Sequence, residues 1–329
     1  HIIQEVIDNA ADEALAGFAK NIHVTLHADG SVTVADDGRG IPVGLHPEEQ
    51  VPVVVLAFTR LHAGGKFDKK SGQSAYAFSG GLHGVGVAVT NALSKRVEVE
   101  VKRDGKVHRI VFAGGDVAEK LKVVGSVGPR NTGTTVRVYP DPKYFDAPAV
   151  SVPDLARLLR AKAVLLPGVA VTLRNESGKT PKTQTWSYPD GLTGYLNELA
   201  DGMTPAAPVF AGETYLGAPK DGETWSEGEG AAWAFAWFEE GHGEGESYVN
   251  LIPTPSGGTH EAGLRAGLFD AVKSFVDHHN LLPRGVRLQT EDVSARLRYV
   301  LSVRVLDPQF QGQVKEKLTS RDALKLVAQ

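Results

Sequence analysis

The sequence contains no cysteine and a single methionine. The first absence excludes disulfides and thiolate metal sites, and it fits a reducing compartment. No apolar run approaches the ~18 residues that a membrane-crossing helix needs, and no signal-peptide pattern precedes the first helix; the expectation is a cytoplasmic protein. A strong charge of either sign is also missing. Lys and Arg number 35 against 39 Asp and Glu, a net charge of −4, so no global field attracts a polyanion. Any nucleic-acid contact must be local. Arg265, Lys273, Arg284, Arg287, Arg296, Arg298 and Arg304 read either as such a surface or as ordinary solvated charge.

What is present is a globular composition, 42% hydrophobic and 22% charged over 329 residues, long enough to predict two domains. The first residue is His and already lies in a helical pattern, so the chain reads as a fragment cut at both ends. "HIIQEVIDNAADEALAG" places Ile3, Val6, Ile7, Ala10 and Ala14 on one helical stripe. On the other side Glu5, Asn9 and Asp12 crowd together beside Glu13, with no basic residue one turn away before Lys20. That face is either solvated surface or a site.

"NIHVTLHADGSVTVADDG" alternates as a hairpin turning at Asp29 and Gly30, and residues 51–62 return to helical spacing. Residues 63–86, rich in Gly, Ser and Lys, read as a long loop running into the helix "VGVAVTNALS". Further hairpins turn at Asp104–Gly105 and within 169–188, "TGTTVRVYP" is a strand, and 152–164 a helix. These elements predict an α+β layered sandwich over residues 1–190. A boundary near "YPDGLTG" separates it from a second core at 191–329, built on "SYVNLIPT", "GLRAGLFDAVKSFVDHHN" and "RYVLSVRVL".

Two motifs fail on inspection. "SGKT" at 177–180 lacks the upstream glycine of a phosphate loop and is followed by Pro181, so it reads as a hairpin tip. "GLHGVG" reverses the dinucleotide-binding glycine order and follows no strand. What "SGGLHGVGVAVTNALS" offers is a glycine-rich loop at a helix N-terminus, which is either an anion site or a hinge. "VADDGRGIP" ends a strand in two acids and two glycines: a tight turn, or a fixed carboxylate that accepts an exocyclic amine while a planar base slides against bare backbone.

The order "EVIDNAADE", "DDGRGIP", "HAGGKF", "SGGLHGVG", "TGT" resembles the GHKL (Bergerat) ATPases, the fold shared by gyrase, Hsp90, MutL and histidine kinases. With "GGTH" and "DPQFQGQVKEKL" the resemblance extends over essentially the whole chain to the B-type subunits of bacterial type IIA DNA topoisomerases. "SYVNLIPTPSGGTH" and "LLPRGVRL" place it nearer the topoisomerase IV branch (ParE) than gyrase B.

The resemblance implies a GHKL ATP-binding domain over 1–190 and a ribosomal-protein-S5-like transducer domain over 191–329, with ATP and Mg²⁺ as cofactors. It implies Glu5 as the general base, supported by His1, and Asn9 as the Mg²⁺ ligand. Asp36 takes the adenine amine, with Thr134 beside it through water. Gly40 leaves room for the base, Ile41 and Pro42 wall it, Arg39 pairs with Glu13 over the pocket, and Arg103 reaches its edge. Lys66, Tyr76 and the backbone of Gly81, Leu82, His83, Gly84, Val85 and Gly86 surround the triphosphate, and Gln313 and Lys315 touch the γ-phosphate. Val314, Ala77 and a longer lid depart from the family pattern. Implied partners are DNA, a topoisomerase IV A-type subunit (ParC) in a heterotetramer, a second copy through clamp closure, and ATP-competitive inhibitors. The implied location is the chromosome in a bacterial cytoplasm. The family's N-terminal arm and metal-binding cleavage region are expected to lie outside the chain.

Overall fold

The computed structural model describes residues 2–61, 78, 86–146, 149–218, 225–312 and 315–329. The predicted site residues His1, Lys66, Tyr76, Gly81, Leu82, His83, Gly84, Val85 and Gln313 lie outside them, as do Ala77 and Val314. The chain divides into two compact units, His1–Pro189 and Asp190–Gln329.

The first unit runs α1 (Ile2–Leu15), β1 (Asn21–Leu26), β2 (Val32–Asp36), α2 (Val53–Thr59), α3 (Gly86–Ala92), β3 (Ser94–Arg103), β4 (Lys106–Ala113), β5 (Asp116–Ser126), β6 (Gly133–Pro140), α4 (Val152–Leu165), β7 (Ala170–Asn175) and β8 (Lys182–Trp186). Among the described residues the strands form one sheet in the order β5-β4-β3-β6-β2-β1-β7-β8. Only β1 and β7 in it pair parallel; the remaining neighbours are antiparallel. Strand alternation sends Ile22, Val24, Val32, Val34, Val97, Val99 and Phe112 to the face that the helices bury. Phe58 of α2 stacks on Phe112 of β4 with ring centroids 5.3 Å apart. The hairpin between β3 and β4 turns at Asp104 and Gly105, both at positive φ (53° and 73°), as a two-residue turn matched to strand twist requires.

The same alternation positions the site. Asp36 ends β2 two residues after Val34, so its side chain falls on the helix-covered face. Register aligns Ile22 of β1, Asp36 of β2, Thr134 of β6 and Val101 of β3 as one row across the sheet. "SGKT" lies at the tip between β7 and β8, where the Asn175 side chain accepts from the Ser177 N–H at 3.0 Å.

The second unit contains α5 (Gly191–Leu199), β9 (Phe210–Tyr215), β10 (Gly230–Trp237), β11 (Glu244–Val249), β12 (Ile252–Pro253), α6 (Thr259–His278), α7 (Thr290–Ser294), β13 (Leu297–Arg304) and α8 (Arg321–Ala328). Its sheet order is β12-β11-β13-β10-β9, with β11 and β13 parallel. Phe235, Val249, Leu297, Leu301, Val303 and Leu318 form its core. Mixed sheets carrying helices make both units α+β.

Candidate functional site

Helix α1 carries Glu5 and Asn9 one turn apart, both partly exposed. Thr90 of α3 ties the two helices together: its hydroxyl donates to the Ile2 carbonyl and to the Gly86 carbonyl, each at 2.9 Å. Asn91 fastens α3 further, donating to the carbonyls of Phe58 and Gly115, each at 2.9 Å. The Glu5 carboxylate is thereby seated on the first residue of α3. A Cβ at Gly86 would push the Glu5 carboxylate out of this position, so the glycine at the start of the helix keeps the seat open.

At the far end of α1, Glu13 grips Arg39. Arg39 Nη2 donates to Glu13 Oε1 at 2.9 Å and Nε to Oε2 at 3.2 Å, while the Arg39 backbone N–H donates to Oε2 at 3.1 Å. The guanidinium also lies 3.6 Å from the centroid of the Phe18 ring. A two-pronged pair of this kind fixes orientation as well as distance. The "DDGRGIP" turn is therefore bolted to the helix that carries Glu5 and Asn9.

Asp36 is the electrostatic centre. Burial pushes its pKa up to about 7; the Gly38 and Thr134 backbone N–H groups oppose the shift and the Glu13 carboxylate adds to it. The Gly38 N–H donates to Asp36 Oδ1 at 2.8 Å. Asp37, its neighbour in sequence, does different work: its carboxylate accepts from the backbone N–H groups of Lys20 and Asn21 at 2.7 and 2.9 Å. One acid of the pair closes a turn and the other faces the helix-covered interior.

Bare backbone surrounds Asp36. Gly40 has φ 81°, and a Cβ there would lie 2.8 Å from the Lys102 carbonyl oxygen and 2.9 Å from Val101 Cγ1. Gly133 has φ 148°, and its Cβ would collide with the Asp36 carbonyl. Thr134 Oγ1 accepts from the Ile41 N–H at 3.1 Å, and Arg103 Nη1 donates to the Gly40 carbonyl at 2.7 Å. Ile41 is half-buried and Pro42 exposed. Asp36, Arg39, Gly40, Ile41, Thr134 and Arg103 are thus gathered around the end of β2, with Pro42 following in the same turn.

In the second unit Lys315 occupies the left-handed region at φ 58°, unusual for a residue with a side chain. The segment after it is clipped to the "GGTH" turn. The Ser256 N–H donates to the Glu316 carbonyl, the Leu318 N–H to the Gly257 carbonyl and the Thr259 N–H to the Leu318 carbonyl, each at 3.1 Å. His260 anchors the turn from below, fully buried, with Nε2 3.0 Å from Thr254 Oγ1. Burial pushes its pKa down to about 4, leaving it neutral.

Five of the seven basic residues that the sequence reading grouped as a possible nucleic-acid surface have local partners. Lys273 pairs with Asp277, Arg298 with Glu244 and the Leu199 carbonyl, Arg296 with the Glu239 carbonyl, and Arg265 with the Tyr299 hydroxyl, while Arg304 lies over the Tyr215 ring. Arg284 and Arg287 are exposed.

Two functional-looking residues escape the sequence reading. Asp8 and Lys162 form a buried ion pair, Nζ to Oδ1 2.6 Å, between α1 and α4. The signal was there to find: Leu155, Leu159 and Lys162 are spaced as one apolar stripe of α4, and the lysine occupies a core position in it. Asp12, expected on the polar face, is 2% exposed, so part of that face turns inward.

Residues 1–143 match the family described as histidine kinase-, DNA gyrase B- and HSP90-like ATPase, and residues 191–329 match DNA gyrase B. The chain is 53% identical over its full length to the B subunit of DNA topoisomerase 4 of Escherichia coli (strain K12), covering 50% of that protein. It is 49% identical to the Haemophilus influenzae protein of the same name, again covering 50%. The chain thus spans about half the length of the curated relatives it matches. A solved topoisomerase IV ATP-binding domain of Francisella tularensis, in complex with a small-molecule inhibitor, superposes with a TM-score of 0.77 at 41% identity, covering 100% of this chain and 83% of that one. The 43K ATPase domain of Thermus thermophilus gyrase B, in complex with an aminocoumarin, gives 0.81 at 33% identity, with 100% and 81% covered. The chain belongs to the B-type family of bacterial type IIA DNA topoisomerase subunits, over that family's ATPase and transducer regions, and within it is similar over its whole length to the topoisomerase IV branch.

Proposed function

We propose that the chain is the ATP-operated part of a topoisomerase IV B-type subunit, in which nucleotide binding and hydrolysis open and close a clamp on DNA. The observation that carries this reading is Asp36: a half-buried carboxylate with a raised pKa, framed by glycines whose missing side chains leave the backbone bare. An adenine amine donates to it, Gly40 and Ile41 face the base, and Pro42 and Thr134 line the rest of the pocket. Arg39 and Arg103 hold the rim. Two solved relatives are in complex with a small-molecule inhibitor and with an aminocoumarin, and in this reading the Asp36 pocket is where ATP-competitive ligands of this chain would bind.

Glu5 is the general base, taking a proton from the water that attacks the γ-phosphate, and His1 supports it. Its seat on Gly86 places it where the glycine-rich segment begins the helix. Among the described residues no group of three or more His, Cys, Asp or Glu forms a metal cage. Mg²⁺ keeps several waters and is held largely by substrate phosphate oxygens with one or two protein ligands; Asn9 would supply one amide oxygen. Bound there, Mg²⁺ supplies charge neutralisation on the phosphates. Lys66, Tyr76 and residues 81–86 hold the triphosphate. Gln313 and Lys315 reach the γ-phosphate and report its presence to the transducer domain, which occupies 191–329 as the ATP-binding domain occupies 1–190. Closure joins two copies around DNA, and the A-type subunit completes the enzyme on the bacterial chromosome.

Asp36 gives this reading a proton signature. With a folded pKa of about 7 it is mostly protonated at pH 6, and an amine donor favours the ionised form, so nucleotide binding releases a proton. Calorimetry with a non-hydrolysable ATP analogue in excess Mg²⁺ is expected to give a buffer-dependent enthalpy at pH 6 and a buffer-independent one at pH 8.5. Enthalpies independent of buffer at both values would remove Asp36 from the contact. The same shift bears on folding. A carboxyl whose folded pKa is raised contributes stability that is fully present below its unfolded value of 3.8 and lost as pH rises through about 7. The wild type minus Asp36→Asn stability difference is therefore expected to fall across that window.

A further inference from the structure

We infer that the Asp8–Lys162 ion pair is a positioning device that sets the rotation and axial register of α1, and through it the aim of Glu5 and Asn9. The inference rests on the catalytic reading of that helix. Lys162 is 0% exposed and Asp8 5%, and Lys162 Nζ lies 2.6 Å from Asp8 Oδ1. Asp8 stands between Glu5 and Asn9 in sequence. At about 100° per residue it projects roughly 60° from Glu5 and 100° from Asn9 around the helix, so it reaches the interior while they face outward.

The apolar stripe of α1 is poorly suited to this task. Its first half packs Ile2, Ile3, Val6 and Ile7, but from Asp8 onward the buried apolar residues are Ala10, Ala11 and Ala14, whose short side chains offer little to interlock. Two further ties lie at the ends, through Thr90 at the first turn and the Glu13–Arg39 pair at the last. The ion pair sits between them, and it reaches α4, the helix that leads through a short turn into β7. A slip of one residue turns the helix by about 100° and shifts it by about 1.5 Å, separating two charges that have no water to receive them. Apolar replacements of a buried ion pair are commonly no less stable than the pair itself, whereas a pair with one partner removed is strongly destabilised. The presence of a lysine in the α4 stripe is therefore accounted for by register. Asp12, buried one turn further along α1, presents a second carboxylate on the same side.

The test compares the full chain with the double variant Asp8→Leu/Lys162→Met and with Lys162→Arg, reading thermal midpoint, ATP affinity, kcat, KM and hydrogen exchange of the α1 amides. The double variant is expected to melt within a few degrees of the parent and to bind ATP within about threefold. Its kcat is expected to fall at least tenfold at little-changed KM, and its α1 amides to exchange at least tenfold faster. Lys162→Arg, which keeps the charge but not the length, is expected to lower kcat with the fold intact and covers the case in which the double variant does not fold. Unchanged kcat and unchanged α1 exchange in a folded variant would overturn the inference. If the parent itself neither binds nor turns over ATP, the functional reading fails instead, and α1 exchange alone decides whether the pair positions the helix.

Discussion

Replacing Glu5 by alanine is expected to lower ATP turnover by on the order of 10²- to 10⁴-fold, the range a positioned general base supplies, while leaving Mg·ATP binding within a few-fold of wild type. The split follows from where the carboxylate sits. It sits against the Gly86 end of α3, whereas the reading assigns the adenine base to Asp36 on β2. On the proposed reading, removing it deletes the group that takes the water's proton and retains the groups that hold the nucleotide. Phosphate release measured beside a calorimetric titration separates the two quantities. Retained hydrolysis would take the base's role away from Glu5, and loss of both binding and turnover would make Glu5 a binding residue.

The largest expected loss of stability belongs to Gly133→Ala. Its φ of 148° lies where residues with side chains are rare, and the new Cβ would collide with the Asp36 carbonyl and lie 3.2 Å from Asp37 Cα. Backbone strain of about 1–3 kcal/mol adds to an overpacking cost of about 1–3 kcal/mol. The neighbour that must move is backbone, so it has little freedom to yield. A drop of roughly 4–24 °C in the melting temperature follows for a unit of this size, together with weaker nucleotide binding, because the residue displaced carries the central carboxylate. Gly30→Ala is the control: φ is 82° but nothing lies within 4 Å, so only a conformational cost of about 1 kcal/mol is expected. Equal melting temperatures for the two variants would refute the claim that the Asp36 pocket depends on close backbone approach.

The parts of this architecture that were legible in the sequence are those with a short-range cause. The period-2 alternation of Ile22, Val24, Leu26 and of Val32, Val34 announced β1 and β2, and Asp104–Gly105 announced the turn between β3 and β4. The helical stripe of Ile3, Val6 and Ile7 announced α1. Elements without such a cause were missed. β5 is a sheet-edge strand, exposed along most of its length, so burial imposes no alternation on it. β10 is the reverse case: "GAAWAFAW" is buried on both faces at several positions, which removes the polar half of the pattern.

The site divides along the same line. Taken singly, the "DDGRGIP" and "EVIDNAADE" segments left surface and site open; their order along the chain with the glycine-rich segments, through the family resemblance, turned the reading to chemistry. The ion pair of Asp8 with Lys162 joins residues far apart in the chain, and no local window contains both. The apparent lack of a counter-charge beside the acids of α1 was a lack of one nearby in sequence. For Asp8 the cation comes from α4.

The central claim is that Asp36 reads an exocyclic amine, and the most direct test titrates the wild-type chain with Mg·ATP and with Mg·GTP at pH 8, where Asp36 is ionised. ATP presents an amine donor to the carboxylate. GTP presents a carbonyl oxygen at the corresponding ring position, leaving two acceptors face to face. A site built around a buried polar group rejects the wrong partner strongly, so ATP is expected to bind on the order of 100-fold or more tightly than GTP. Equal affinity for the two nucleotides, or no binding of ATP at millimolar concentration, would contradict the account.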